Sequence, residues 1–223
     1  MKTNLQLEKD IKESINWEPL LRNTDITVVA KDGIITLSGV VDSFHKKTLI
    51  ESVVKNVFGV NAVVEKLEVK LDLNLKLDDE AIAVEVVNAL RMNLEIPNEK
   101  IKVKVEKGWV TLDGEVNWNF ERESAKKAIS CLAGVKVVIS NLRVKPESHD
   151  EVEKAQIESA LDRNWAIDSD DIEVIVSGTK VTLNGTVDTW YQKNEAERIA
   201  WNAPGVWTVI NSLAVEYDHE FAD

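Results

Sequence analysis

Three glycine pairs with one spacing constrain this chain more than any other feature. Gly39 to Gly59, Gly114 to Gly134 and Gly185 to Gly205 each span twenty residues, and Gly33, Gly108 and Gly178 complete the nine glycines of the protein. Glycine is placed where the backbone needs freedom or close approach. One backbone plan is therefore used three times in 223 residues, the signature of an internal repeat. Counted back from the closing glycine, the units align without a gap; only the turn glycine of the third is displaced by one place.

Each unit opens with a helical pattern: Leu7, Ile11 and Ile15; then Ile82, Val86 and Leu90 behind Asp78-Asp79-Glu80; then Val152, Ile157, Ala160 and Leu161 behind Asp150-Glu151. Spacings of three to five residues put these side chains on one helical face, with acidic residues at its start. A hairpin follows. Its first strand alternates as Ile26 and Val28, as Ile101, Val103 and Val105, and as Ile172, Val174 and Val176. The turns are read as Asp32-Gly33, Lys107-Gly108 and Ser177-Gly178, and Asp-Gly is a favoured hairpin pair. The return strands carry Ile35-Thr36-Leu37, Val110-Thr111-Leu112 and Val181-Thr182-Leu183.

A second helix is expected behind an N-cap at Asp42, Asn117 or Asp188. It should bury Ile50, Val53, Val54 and Val57; Ala125, Ala128, Ile129 and Leu132; Ala196, Ile199, Ala200 and Ala203. Gly59, Gly134 and Gly205 are expected at its C′ position. A last strand carries Val63, Leu67 and Val69, then Val138, Leu142 and Val144, then Val209, Leu213 and Val215. The fold class is α+β: three tandem α-β-β-α-β repeats, each a small three-stranded mixed sheet with two helices on one face, as a right-handed crossover requires. The repeats span 1–72, 77–146 and 149–217, with a tail at 218–223, and Leu71–Lys76 and Lys145–His149 read as linkers. A core this small is marginal alone, so the repeats are expected to cover one another's open sheet faces.

Charge narrows the partners. Residues 1–72, 73–146 and 147–223 carry net charges of −1, +1 and −12, so the whole imbalance of −12 belongs to the last third. So acidic a balance disfavours a general polyanion binder, and no nucleic-acid partner is expected. No apolar run reaches the roughly 20 residues of a transmembrane span. The start, Met1-Lys2-Thr3-Asn4-Leu5, turns charged at once and lacks the apolar stretch of a signal peptide. The cytoplasm is the expected compartment, or the periplasm if the natural N-terminus has been trimmed.

The pattern Ile-x-Val…Gly-x-(Val/Ile)-Thr-Leu-x-Gly-x-Val-(Asp/Asn), a helix, then Gly-Val-x-x-Val-x-x-x-Leu-x-Val resembles the BON family, named for bacterial osmotic-shock and nodulation-associated proteins. In the second unit it is carried by Ile101, Val103, Gly108, Val110, Thr111, Leu112, Gly114, Val116, Asn117, Gly134, Val135, Val138, Leu142 and Val144. The resemblance covers nearly the whole chain. It implies a non-enzymatic, transport-associated module linked to osmotic or envelope stress. Some such proteins are periplasmic or bind anionic phospholipid; others carry a LysM module and are associated with potassium. This chain has neither a lipobox cysteine near its start nor a LysM segment.

Candidate chemistry is sparse. His45, His149 and His219 share no ligand spacing with Cys131, the single cysteine. No catalytic residue, metal site or cofactor is assigned, and Gly-x-Gly-x-x-Gly and Gly-Lys-Ser/Thr phosphate loops are missing. Asp168-Ser169-Asp170-Asp171 lacks the glycine and distal glutamate of an EF-hand and reads as a helix-to-strand turn. Cation binding, potassium included, and an unrecognised enzyme are the alternatives of other classes.

Tryptophan says more. Trp201 aligns with Lys55 and Ser130, and Trp207 with Asn61 and Lys136. Positions polar twice and tryptophan once are not expected in a core, so Trp201 and Trp207, with Trp190 and Trp109, are candidates for contact between repeats, for self-association or for a protein partner. Trp109 is expected beneath a neighbouring repeat. Lys100, Lys102, Lys104 and Lys107 form a basic strip on the second unit, a candidate for weak attraction to anionic lipid.

Overall fold

The computed structural model describes residues 2–22, 24–70, 77–146 and 152–216. The Leu71–Lys76 linker, Asp150-Glu151, His149, His219 and the tail lie outside them. The first repeat runs α1 (Asn4–Trp17), β1 (Ile26–Lys31), β2 (Ile34–Val41), α2 (Phe44–Lys55) and β3 (Ala62–Val69). The second runs α3 (Asp79–Met92), β4 (Ile101–Glu106), β5 (Trp109–Val116), α4 (Asn119–Ser130) and β6 (Val137–Val144). In the third are α5 (Lys154–Asp162), β7 (Ile172–Ser177), β8 (Lys180–Val187), α6 (Trp190–Trp201), β9 (Thr208–Asn211) and β10 (Ala214–Val215).

Each sheet has its hairpin return strand in the centre, antiparallel to the first strand and beside the last. In the first repeat β2 meets β1 antiparallel, with Val28 opposite Leu37, and β3 parallel, with Gly39 opposite Leu67. Leu7, Ile11 and Ile15 of α1 and Ile50 and Val54 of α2 close on Val28, Ala30, Ile35, Leu37 and Leu67 from one sheet face. Burying such side chains contributes roughly 1.5–3 kcal/mol apiece. The strand glycine is required by close approach: a Cβ on Gly39, Gly114 or Gly185 would lie 2.6, 2.1 or 1.9 Å from the carbonyl oxygen of Asp25, Lys100 or Asp171.

Several local expectations are corrected. The N-cap falls one residue later than Asp42 and Asp188, at Ser43 and Thr189, whose hydroxyls accept from the N–H of Lys46 and Gln192. Asp42 pairs instead with Lys46 at 2.6 Å. In the second repeat the carboxylate of Glu121 takes the N–H groups of Asn117 and Trp118, at 2.6 and 3.0 Å. Nor are Gly59, Gly134 and Gly205 at C′. α2, α4 and α6 end earlier, and the chain leaves them through i→i+3 bonds such as Val57 N–H to Val54 and Val60 N–H to Val57. The glycine then serves this turn, with φ of 99°, 86° and 78°.

The third repeat departs most. Its hairpin turn is Gly178-Thr179, between paired Ser177 and Lys180, with glycine at the first central position as a type II′ turn demands. α5 starts only at Lys154 and is nine residues long against fourteen in α1 and α3. Glu153 stands where the sister helices bury Leu7 and Ile82, so the first turn has no apolar anchor and Val152 precedes the helix. The last strand is split into β9 and β10, although both keep one register against β8. Asn211 stands at the break: its amide nitrogen donates to the Lys193 carbonyl (2.9 Å) and to Glu197 (3.1 Å) while its oxygen takes the Leu213 N–H.

Two compact units emerge: Met1–Gly114 with Glu123–Leu142, and Glu115–Arg122 with the chain from Arg143 onward. The division runs through the second repeat. The opposite sheet faces stay exposed, with Val29, Ile34, Val40 and Val64 on the first, Trp109 and Ile139 on the second, and Ile175 and Ile210 on the third. Trp109 is 50% exposed, against the expected cover by a neighbouring repeat.

Candidate functional site

Alternation along β4 and β5 sends Val103, Val105, Val110 and Leu112 toward the helices and Lys102, Lys104, Trp109 and Thr111 to the open face. There a concavity of about 320 Å³ is lined by Lys104, Glu106, Lys107, Trp109, Thr111 and Ile139. Lys104 pairs with Glu106 at 3.1 Å, both well exposed. Lys102 lies opposite Asp113, which accepts from Asn141 at 2.9 Å. Of the basic strip, the structure brings Lys104 and Lys107 to the indole of Trp109; Lys100 and Lys102 stand off its lining. An apolar ring flanked by ammonium groups suits an amphipathic anionic surface.

Trp201 has a different environment. It closes α6, is 7% exposed, and its Nε1–H donates to Glu197 at 3.4 Å. The guanidinium of Arg122, from the first turn of α4, lies 4.7 Å from the ring centroid. Both residues belong to the second compact unit. Arg122 occupies the place of Lys47 and Lys193, whose ammonium groups donate to the Leu67 and Leu213 carbonyls of their own repeats. Trp201 is thus buried, with a residue of the preceding repeat over its ring. Trp207 is half-buried, its N–H donating to Thr179 at 2.8 Å, and Trp190 opens α6 with Lys193 5.3 Å from its ring.

BON domains match residues 3–70, 78–146 and 149–217. The chain belongs to the BON domain family. It is similar to Osmotically-inducible protein Y of Escherichia coli (strain K12), 30% identical over 129 residues. That match spans 56% of this chain and 64% of the relative, less than two thirds of its length. Among solved structures it is similar to CdsD, a structural protein of the Type III secretion system of Chlamydia trachomatis, and to the CdsD C-terminal domain. Each is 16% identical with a TM-score of 0.26, over 96% of this chain and 94% and 100% of theirs. A TM-score that low carries no argument.

Elsewhere in the BON repeats, Cys131 is exposed and His45 half-buried in α2. Among the described residues no group of three His, Cys, Asp or Glu could hold a metal. The Asp168 carboxylate accepts the Asp170 N–H in a turn. Shifted carboxyls trace to single ion pairs. A hydrogen bond from Arg198 holds Glu195 below the usual carboxylate range, against partial burial, and Lys46 does the same for Asp42. Sequence reasoning missed the bare apolar residues at or just beyond the end of each first helix, Trp17, Met92, Leu94 and Trp165, the last 95% exposed. The available signal was that each falls where the helical periodicity has stopped.

Proposed function

We propose that this chain is a non-catalytic binding protein of osmotic or envelope stress whose second BON repeat docks peripherally on anionic phospholipid. One observation carries the reading: Lys104 and Lys107 flank a half-exposed Trp109 in a shallow concavity of an uncovered sheet face. Indole rings favour the headgroup level of a bilayer, and basic groups near an anionic surface contribute about 1 kcal/mol each. No described helix is long and apolar enough to cross a membrane, consistent with surface attachment. The name of the osmotically inducible relative supports the physiological setting. The shifted titratable groups sit in separate surface ion pairs and not in one cleft, which favours binding over turnover. The alternative, a protein partner held by an aromatic surface, loses Trp201 to burial under Arg122.

Flotation with phosphatidylglycerol vesicles at low salt tests this. The full chain should partition onto them and not onto phosphatidylcholine, and Lys104→Glu with Lys107→Glu should lower partition at least about thirtyfold, from two charges at about 1 kcal/mol each. Equal recovery with both vesicle types, or none with either, refutes the proposal.

A further inference from the structure

Lys107 sits in a conformation its residue type disfavours. It and Gly108 form the β4–β5 turn, with φ of 53° and 79°. A side chain in this left-handed region crowds the following carbonyl, which asparagine and aspartate tolerate better than lysine. The sister turns avoid the problem: the first uses Asp32 at φ 51°, and the third opens on Gly178 at φ 60°.

The clasp on the turn follows the same order. Asp79, the first residue of α3, accepts from the N–H groups of Lys107 (2.7 Å) and Gly108 (2.9 Å). In the first repeat Asn4 holds the equivalent place and accepts a bond from Asp32 N–H, at 3.1 Å. The turn residue least suited to its conformation is thus held by a full carboxylate with two bonds. Charge-assisted bonds to backbone N–H are roughly twice as strong as neutral ones.

Local rules are broken where function needs the residue. We infer that Lys107 is a strained recognition residue and that Asp79 positions it, keeping its ammonium at the concavity beside Lys104 and Trp109. The inference rests on the proposed docking of this face on an anionic surface. It adds that lysine at this position costs stability and is retained for binding.

The test uses the full chain with phosphatidylglycerol vesicles and thermal unfolding. Lys107→Asn, which places the favoured Asn-Gly pair in the turn, should raise the melting midpoint while lowering partition about fivefold, the equivalent of one basic group. Asp79→Ala and Asp79→Asn remove the same negative charge, so the clasp is read from the difference between them. Asp79→Ala should melt lower and, far below its midpoint, partition severalfold less than Asp79→Asn, which keeps the acceptor used in the first repeat. A purely structural Asp79 would separate the two variants in midpoint and leave them partitioning alike, which overturns its positioning role. A Lys107→Asn variant that melts lower, or binds like the parent, overturns the inference while docking stands. If the parent itself does not partition, docking fails and the inference falls with it, whatever the midpoints do.

Discussion

Replacing Arg122 and Trp201 singly and together measures how the third repeat is joined to its predecessor. The indole is 7% exposed, so truncating Trp201 to alanine should cost about 3–5 kcal/mol. Trp201→Leu retains apolar volume and isolates the ring more cleanly. The guanidinium lies 4.7 Å from the centroid of this covered ring, which places the pair toward the desolvated end of cation–π energies, about 1–2 kcal/mol. Arg122 has other interactions, and a double-mutant cycle removes them from the pair term. Since the chain forms two compact units, one global transition is not assured. Amide exchange of β7 and β8 against urea reports the second unit directly. The coupling energy should be about 1–2 kcal/mol. Arg122→Lys, which inserts the residue of the sister repeats, should keep only part of it. Losses that add within about 0.3 kcal/mol would refute the junction, because independent sites behave that way.

Two further outcomes follow from local geometry. A Cβ on Gly114 would stand 2.1 Å from the Lys100 carbonyl at φ +142°, whereas one on Gly178 meets nothing within 4 Å at φ +60°. Gly178→Ala should therefore cost only the left-handed penalty of about 1–2 kcal/mol, and Gly114→Ala well above it, judged by urea midpoints; equal losses would contradict the close-approach argument. Acid stability tests the Glu195–Arg198 pair, 2.6 Å apart. Arg198 lowers the folded-state pKa of Glu195, so the pair stabilises above the ordinary carboxylate range and is lost as pH falls through the folded value. Arg198→Met should lower stability at pH 7 by under about 1 kcal/mol, as befits an exposed partner, and its curve should meet the parent's only below the ordinary carboxylate range. A constant gap across pH would refute the linkage.

The architecture was legible because its determinants are local and triplicated. Strand glycines, alternating Val and Ile, and the helix faces of Leu7, Ile11 and Ile15 each state a backbone need that one repeat confirms in the next. Errors arose where a side chain chose between two nearby partners. Asp42 and Ser43 can both cap α2; Ser43 does, because Asp42 lies one residue early and Lys46 holds it. α5 begins only after Glu153, and the last strand breaks at Asn211, single differences that a pattern averaged over repeats conceals. The concavity was half visible: Lys104 and Lys107 were apparent, but only the uncovered sheet joins them to Trp109. Comparing sister repeats singled out Trp201 but failed to name Arg122 as its neighbour, because it assumes that each core is filled from within.

That failure bears on how the repeats diverged. Lys47 and Lys193 stitch a second helix to the last strand of the same repeat, by donating to Leu67 and Leu213. At the equivalent place in the second repeat, arginine lies over an aromatic ring of the third. Arginine suits that task because its guanidinium is planar and weakly hydrated, and lysine does not. Trp201 in turn stands where the sister repeats carry Lys55 and Ser130. The two departures match: Arg122 supplies the cation over the ring and Trp201 the aromatic face beneath it. The pair ties the third repeat to the first turn of α4 in its predecessor, and Arg122 falls accordingly in the same compact unit as Trp201.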